Sequence, residues 1–202
     1  MTIRLLLADD QALVRGALAA LLDLEPDLEV VAEVGSGDEV VSAATRVAPD
    51  VALLDVEMPG LDGIEATRAV KEAVPGLRVL IVTTFGRPGY LRRALKAGAD
   101  GFVVKDTPAR ELADAVRRIH AGLRVVDPLL AADSLVAGES PLTSRETEVL
   151  RAARDGASVA TVAGRLFLSQ GTVRNHLSAA IGKTGSANRA EAVRVADENG
   201  WL

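Results

Sequence analysis

The 202-residue chain contains no cysteine. This excludes disulfides, thiolate metal sites and cysteine nucleophiles, and it is compatible with a reducing compartment. Aromatics are scarce, at three Phe, one Tyr and one Trp. The apolar 49% is carried mostly by Ala, Val and Leu, which suit helices and buried parallel strands better than an aromatic-rich barrel. No apolar run approaches the roughly 18–20 residues needed to span a bilayer. Residues 1–8 run straight into Asp9 and Asp10, leaving no room for the apolar region of a signal peptide. These absences predict a soluble, cytoplasmic protein.

What is present falls into two unlike halves. The net charge of −5 is unevenly spread. Residues 1–127 carry 15 basic and 20 acidic side chains, residues 128–141 none and two, and residues 142–202 eight and six. An acidic first part and a mildly basic last part suggest different partners.

Over residues 1–122, short apolar runs (3–8, 28–34, 51–54, 77–82, 101–104) alternate with amphipathic segments of helical period (11–23, 37–47, 62–73, 87–97, 107–121). Five βα repeats predict a doubly wound, flavodoxin-like α/β fold with a five-stranded parallel sheet. Residues 123–141, punctuated by Pro128, Gly138 and Pro141, read as a linker with a short helix at 128–136. From Leu142 to the C-terminus the pattern is all-α: four helices starting at Thr143, Ser158, Ser169 and Asn188, with a Thr143–Glu146 capping box.

In doubly wound sheets, ligands sit at the carboxyl ends of the strands, and polar residues gather there. Asp9 and Asp10 end the first strand, Asp55 the third, Thr83 and Thr84 the fourth, and Lys105 the fifth. Asp10 and Asp55 brought together repel unless a divalent cation lies between them. Mg²⁺ suits two carboxylates, a backbone carbonyl (that of Glu57) and waters, with Asp9 holding it through those waters. A carboxylate is also a nucleophile for aspartyl-phosphate formation. The three phosphoryl oxygens would then be met by Mg²⁺, the Lys105 ammonium and the Thr83 hydroxyl.

In the last part, the second and third helices have helix-turn-helix spacing around a short turn at Phe167–Leu168. In the third, SQGTVRNHLSAAIGK, the residues Val173, Leu177 and Ile181 recur every four positions and face a core. That turns Arg174, Asn175 and Ser178 outward as candidates for base edges. Gln170, Thr172, Lys183 and Arg189 are placed for phosphates, and His176 is either another phosphate contact or a surface histidine without a role. No acid lies between Asp155 and Glu191, which favours DNA over a protein-interaction helical domain.

The strings LLADDQALVR, DVALLDVEMPGLDGIEATR, VLIVTTF and AGADGFVVKDTP resemble the receiver domain of response regulators over residues 1–122. The string from LTSRETEVLRAARDGASV to GSANRAEAV resembles the LuxR-type DNA-binding domain over 142–195. Together they resemble the NarL/FixJ class, and TTFGRPGYLRRALKAGADGF with the ending ENGWL is most similar to its DesR-type branch. The resemblance implies Asp55 as the phosphorylation site, Asp9 and Asp10 as the acidic pair, Lys105 as the phosphate partner, Thr83 as the switch hydroxyl and Phe102 as the switch aromatic. It further implies a sensor histidine kinase as donor, a homodimer formed on phosphorylation and promoter DNA as target. The chain would not be an enzyme beyond its own phosphorylation and dephosphorylation.

Three positions depart from the pattern. Lys105 is followed by Asp106 rather than the Pro common in relatives, so the cis bond that accompanies such a Pro is not assumed here. Thr161 and Thr184 stand where relatives often carry Glu and Leu, the second at some cost to packing under the third helix. Two competing readings are an aspartyl-phosphate phosphatase of similar fold, against which the intact helix-turn-helix and the lack of a cap insertion weigh, and a regulator that ignores phosphorylation. The complete acid–Thr–Lys set argues against the latter.

Overall fold

Alternation of side chains along a parallel strand sends one apolar set to each face of the sheet, and two separate cores result in the first part of the chain. The computed structural model describes residues 2–84, 88–128, 130–132 and 140–202. These form two compact units, the first reaching Ala132 and the second reaching the C-terminus.

The first unit runs β1 (Ile3–Ala8), α1 (Ala12–Leu22), β2 (Leu28–Val34), α2 (Gly37–Val47), β3 (Val51–Leu54), α3 (Gly63–Ala73), β4 (Arg78–Thr83), α4 (Pro88–Ala97), β5 (Gly101–Val104), α5 (Ala109–His120) and β6 (Val125–Val126). The sheet order is β2-β1-β3-β4-β5-β6 with every pair parallel. Leu6, Ala8, Ala52, Leu54, Val79, Ile81 and Phe102 lie in the core that buries α2, α3 and α4. Leu5, Leu7, Val51, Leu53, Leu80, Val82 and Val103 lie in the core that buries α1 and α5. The first five strands give the expected flavodoxin-like order.

The sixth strand corrects the five-stranded expectation. Val125 and Val126 pair with Gly101 and Phe102, so this sheet continues into the stretch read as linker. Two residues are too short for periodicity to register as a strand. Of the helix expected at 128–136, Pro128 and residues 130–132 are helical, and residues 133–139 lie outside the described residues.

The second unit is all-α, with α6 (Ser144–Ala152), α7 (Val159–Leu166), α8 (Gln170–Lys183) and α9 (Arg189–Glu198). Each helix starts at a side-chain cap, on Thr143, Ser158, Ser169 and Asn188 respectively, and such a cap contributes about 1 kcal/mol. Val149, Leu150, Val162, Val173, Leu177, Ala180, Ala192 and Ala196 form its core. Thr184 does not act as a misplaced core residue. Its hydroxyl donates to the carbonyls of Ala180 (2.9 Å) and Ile181 (3.2 Å) and lies 2.8 Å from the Ser186 hydroxyl.

Glu146 holds this unit together at one point. Its Oε2 accepts from the Thr143 amide (2.7 Å) and from Lys183 Nζ at the far end of α8 (2.8 Å). Burial opposes its ionisation, yet the Lys183 ammonium and the Thr143 donors outweigh that and hold its carboxyl below the usual glutamate range. A carboxyl depressed in the folded state stabilises above its unfolded pKa, and that gain is lost as pH falls through the folded value. Thermal unfolding followed from neutral to about pH 3 should therefore show wild type losing an increment that Glu146→Gln never had. At neutral pH the Gln variant should be less stable by about 1.5–3 kcal/mol, the worth of a hydrogen bond to a charged group.

Candidate functional site

Backbone hydrogen bonds carry the strand ends beyond the regular sheet and fix where their side chains emerge. The amide of Asp9 donates to Val34 (3.2 Å), that of Asp55 to Ala8 (2.8 Å) and that of Lys105 to Thr83 (2.8 Å). Gly63 completes the frame. A methyl group at this position would lie 1.9 Å from the carbonyl oxygen of Asp55, so only glycine lets α3 start this close to the residue that ends β3.

Lys105, Asp9 and Asp55 meet at one point. Lys105 Nζ lies 2.7 Å from Asp9 Oδ2 and 2.7 Å from Asp55 Oδ2. Asp9 and Asp55 are buried, at 4% and 3% exposure, and Asp10 beside them is exposed. Oxygens of all three carboxylates fall within 4.8 Å of one another. The second oxygen of Asp55, Oδ1, is buried with no hydrogen-bond partner. Burial pushes the Asp55 carboxyl up, against the opposing pull of Lys105. Burial likewise disfavours the Lys105 ammonium, but its bonds to Asp55 and Asp9 prevail and raise its pKa. Three carboxylates against one ammonium leave two negative charges, and one buried oxygen of Asp55 has no hydrogen-bond partner. An oxygen-only donor set of that charge fits a hard divalent cation such as Mg²⁺. Glu57 is exposed in the loop that follows, and its backbone amide favours the ionised form of Asp55.

Thr83 is buried at the end of β4. By strand alternation it shares a sheet face with Ile81, and Ile81 pairs with Phe102. Phe102 is fully buried in the core under α4, with Tyr90, Leu91 and Ala94. Thr84 is exposed. The Lys105–Asp106 peptide is trans.

In the second unit, α7 and α8 form the helix-turn-helix. Val173, Leu177 and Ala180 of α8 are buried and Ile181 partly so, while Gln170, Arg174, Asn175 and Ser178 are exposed. Arg174 Nη2 donates to Gln170 Oε1 at 3.4 Å, one turn back on the same face.

A family model for the response regulator receiver domain matches residues 5–117, more than half of the chain. The chain belongs to the response-regulator family. A second model, of bacterial regulatory proteins of the luxR family, matches residues 140–196 of this response regulator. It is 43% identical over 200 residues to the uncharacterized transcriptional regulatory protein YvfU of Bacillus subtilis (strain 168), covering 99% of this chain and 100% of that one. To the transcriptional regulatory protein DesR of the same organism it is 42% identical, with 99% of each chain covered. The crystal structure of the response regulator ChrA of a heme-sensing two-component system aligns with a TM-score of 0.60 at 35% identity, over 100% of this chain and 99% of that one. The protein is thus a DNA-binding transcriptional response regulator of a two-component system, and not an enzyme of the ordinary kind. Among the described residues no helix is long and apolar enough to cross a membrane.

Residues assigned to phosphate from sequence are engaged within this response regulator. Lys183 is tied to Glu146. Arg189 donates to the carbonyls of Ala157 (2.5 Å) and Gly156 (3.2 Å), bracing the turn before α7. Thr172 sits 2.8 Å from the Ser169 hydroxyl inside the cap of α8. The sequence reading also missed Arg15. Its Nη1 donates to the Asp9 carbonyl at 2.5 Å and its Nε lies 3.5 Å from Glu33, clamping the turn that presents the acidic pair. A cation six residues after Asp9 in an otherwise apolar helix was the available signal.

Proposed function

We propose that Asp55 accepts a phosphoryl group from the phosphohistidine of a sensor kinase, and that this modification promotes dimerisation and promoter binding. The observation that carries the proposal is the Asp55 carboxylate itself, buried at a strand end, held through Oδ2 by Lys105 and partnerless at Oδ1. An Asp55 oxygen attacks phosphorus, an O–P bond forms, the N–P bond breaks and the imidazole leaves. Asp10, Asp55 and the Glu57 carbonyl are the residues that would hold Mg²⁺, with Asp9 behind them through water. Bound there, the ion supplies neutralisation of the charge on the transferring group. Lys105 then exchanges a carboxylate oxygen for a phosphoryl oxygen, and the Thr83 hydroxyl takes another. Because Thr83 and Phe102 share one face of the sheet, movement of Thr83 repacks the core beneath α4 and biases the receiver toward a second conformation.

The exposed Leu13 on α1 and Leu24 just after it support the face of the receiver's first and last helices as the dimer surface. A dimer spans paired half-sites about one DNA turn, roughly 10 base pairs, apart. The work belongs to the cytoplasm, where promoter DNA and the kinase's phosphohistidine are found together.

Incubation with acetyl phosphate and Mg²⁺ should add the mass of one phosphoryl group and shift sedimentation from monomer to dimer. A chain that stays unmodified under kinase and acetyl phosphate alike would remove the proposal. On the DNA side, Arg174→Ala should flatten base preference at one position of each half-site, a loss of roughly 1–3 kcal/mol of discrimination. A selection from random duplexes reads this directly. An unchanged sequence preference would shift base reading to Asn175 or Ser178.

A further inference from the structure

The turn between α7 and α8 is built around a residue that the fold alone would not choose. Phe167 follows α7 in the left-handed conformation, with φ 54° and ψ 43°. Bulky side chains avoid that region, and glycine or asparagine is the usual occupant after a helix. The ring is 95% exposed, so no packing compensates for the strain. Its neighbours Leu166 and Leu168 do pack against the core of the unit. Phe102, by contrast, is entirely buried. A strained backbone under an exposed aromatic is the kind of outlier that marks a functional position.

The position is fixed from both sides. The amide of Phe167 donates to the Gly164 carbonyl (3.5 Å) and that of Leu168 to the Ala163 carbonyl (2.9 Å). Two residues on, Ser169 Oγ caps α8 by accepting from the Thr172 amide at 3.0 Å. The ring therefore stands at the start of the helix whose N-terminal residues enter the groove. Its surroundings favour an acidic partner. Residues 156–190 contain no acid; Lys183 and Arg165 are paired with Glu146 and Asp155 outside that stretch, while Arg174 lies exposed one turn into α8. At Gly171, in the first turn of α8, an added methyl group would meet only Ser169 Oγ at 3.7 Å. The backbone there is bare without any internal reason for it, which leaves room for a phosphate.

Resting on the DNA-binding reading of α8, we propose that Phe167 is a DNA-contacting residue whose ring packs on a thymine methyl at the edge of the half-site. Among base edges in the major groove, that C5-methyl is the apolar group an aromatic ring can meet.

The test uses the full chain and the duplex that wild type enriches most strongly from a random pool. Phe167→Ala should bind that duplex about tenfold more weakly, in line with loss of one good base contact. Replacing thymine by uracil, one position at a time, should weaken wild type at one position per half-site and leave Phe167→Ala indifferent there. Phe167→Gly should also lose affinity while its melting temperature rises, because glycine relieves the left-handed strain. Loss of binding is then separated from loss of fold. Equal affinity of wild type and Phe167→Ala, or no uracil position that distinguishes them, overturns the proposal. So does weaker binding that is explained by weaker dimerisation in sedimentation, which would assign the ring to a second copy of the chain. Failure of wild type to enrich any duplex would instead count against the DNA-binding reading beneath it.

Discussion

Asp55→Asn is expected to take up no phosphoryl group from acetyl phosphate or from a histidine kinase, while folding as wild type does. Asparagine keeps the shape of the side chain and can still accept a hydrogen bond from Lys105. It lacks the anionic oxygen that attacks phosphorus. Removing one of three clustered carboxylates also relieves repulsion, because Lys105 then serves Asp9 alone at 2.7 Å. Stability should therefore change little or rise, and the loss of labelling cannot be blamed on unfolding. Intact mass after phosphodonor treatment reads the first outcome and thermal unfolding the second. Undiminished labelling of the variant would move the acceptor to another carboxylate of the cluster, Asp9 or Asp10.

Lys105→Met should strongly destabilise the first unit. The ammonium serves two carboxylates whose side chains are 5% and 3% exposed, and is itself 11% exposed. Methionine fills much the same volume but leaves both acids buried without a cation. Breaking a buried pair in this way costs about 3–5 kcal/mol. The pH dependence follows from the charge. Without Lys105, burial raises the Asp55 carboxyl further above its unfolded value. A carboxyl raised in the folded state binds its proton more readily there, so the penalty is present at neutral pH and eases as pH falls toward the ordinary carboxylate range. Added Mg²⁺ should restore stability in the variant more than it adds to wild type, since the ammonium no longer competes for the same oxygens and binding stabilises by mass action. Chemical denaturation at two pH values, with and without Mg²⁺, measures all of this. Unfolding free energies equal to wild type at neutral pH would show that the Asp9–Asp55 pair does not depend on Lys105.

What was legible in the sequence was whatever local periodicity or capping chemistry encodes. Leu5–Ala8 and Val51–Leu54 are unbroken apolar runs because both faces of the sheet are buried, and such runs alternating with helical periods pointed to the strands and the parallel sheet. Thr143, Ser158, Ser169 and Asn188 gave the helix starts, because a cap bonds within three residues of itself. Asp9, Asp55 and Lys105 were brought together by the rule that ligands sit at strand carboxyl ends. What stayed hidden depended on distant partners. Lys183 looked free for a phosphate because Glu146 is 37 residues away. Arg189 finds its carbonyl partners 32 and 33 residues back in the chain. The exposed, strained geometry of Phe167 has no counterpart in hydropathy, since Leu166-Phe167-Leu168 reads as three apolar residues alike.

The two-residue strand β6 has a consequence for the order in which the chain is made. It pairs with β5 through Gly101 and Phe102 and, among the described residues, with no other strand. Until Val125 and Val126 have left the ribosome, the outer side of β5 is an open strand edge, the kind of surface on which nascent chains associate wrongly. The receiver sheet also joins strands far apart in sequence, as in the pairing of Leu5 with Val51, a topology that folds slowly. The all-α unit behind it closes each helix start with a cap three residues away and needs few long loops. Synthesis thus delivers the slow-folding sheet first and gives it the longest time to close before the fast-folding, DNA-seeking end emerges.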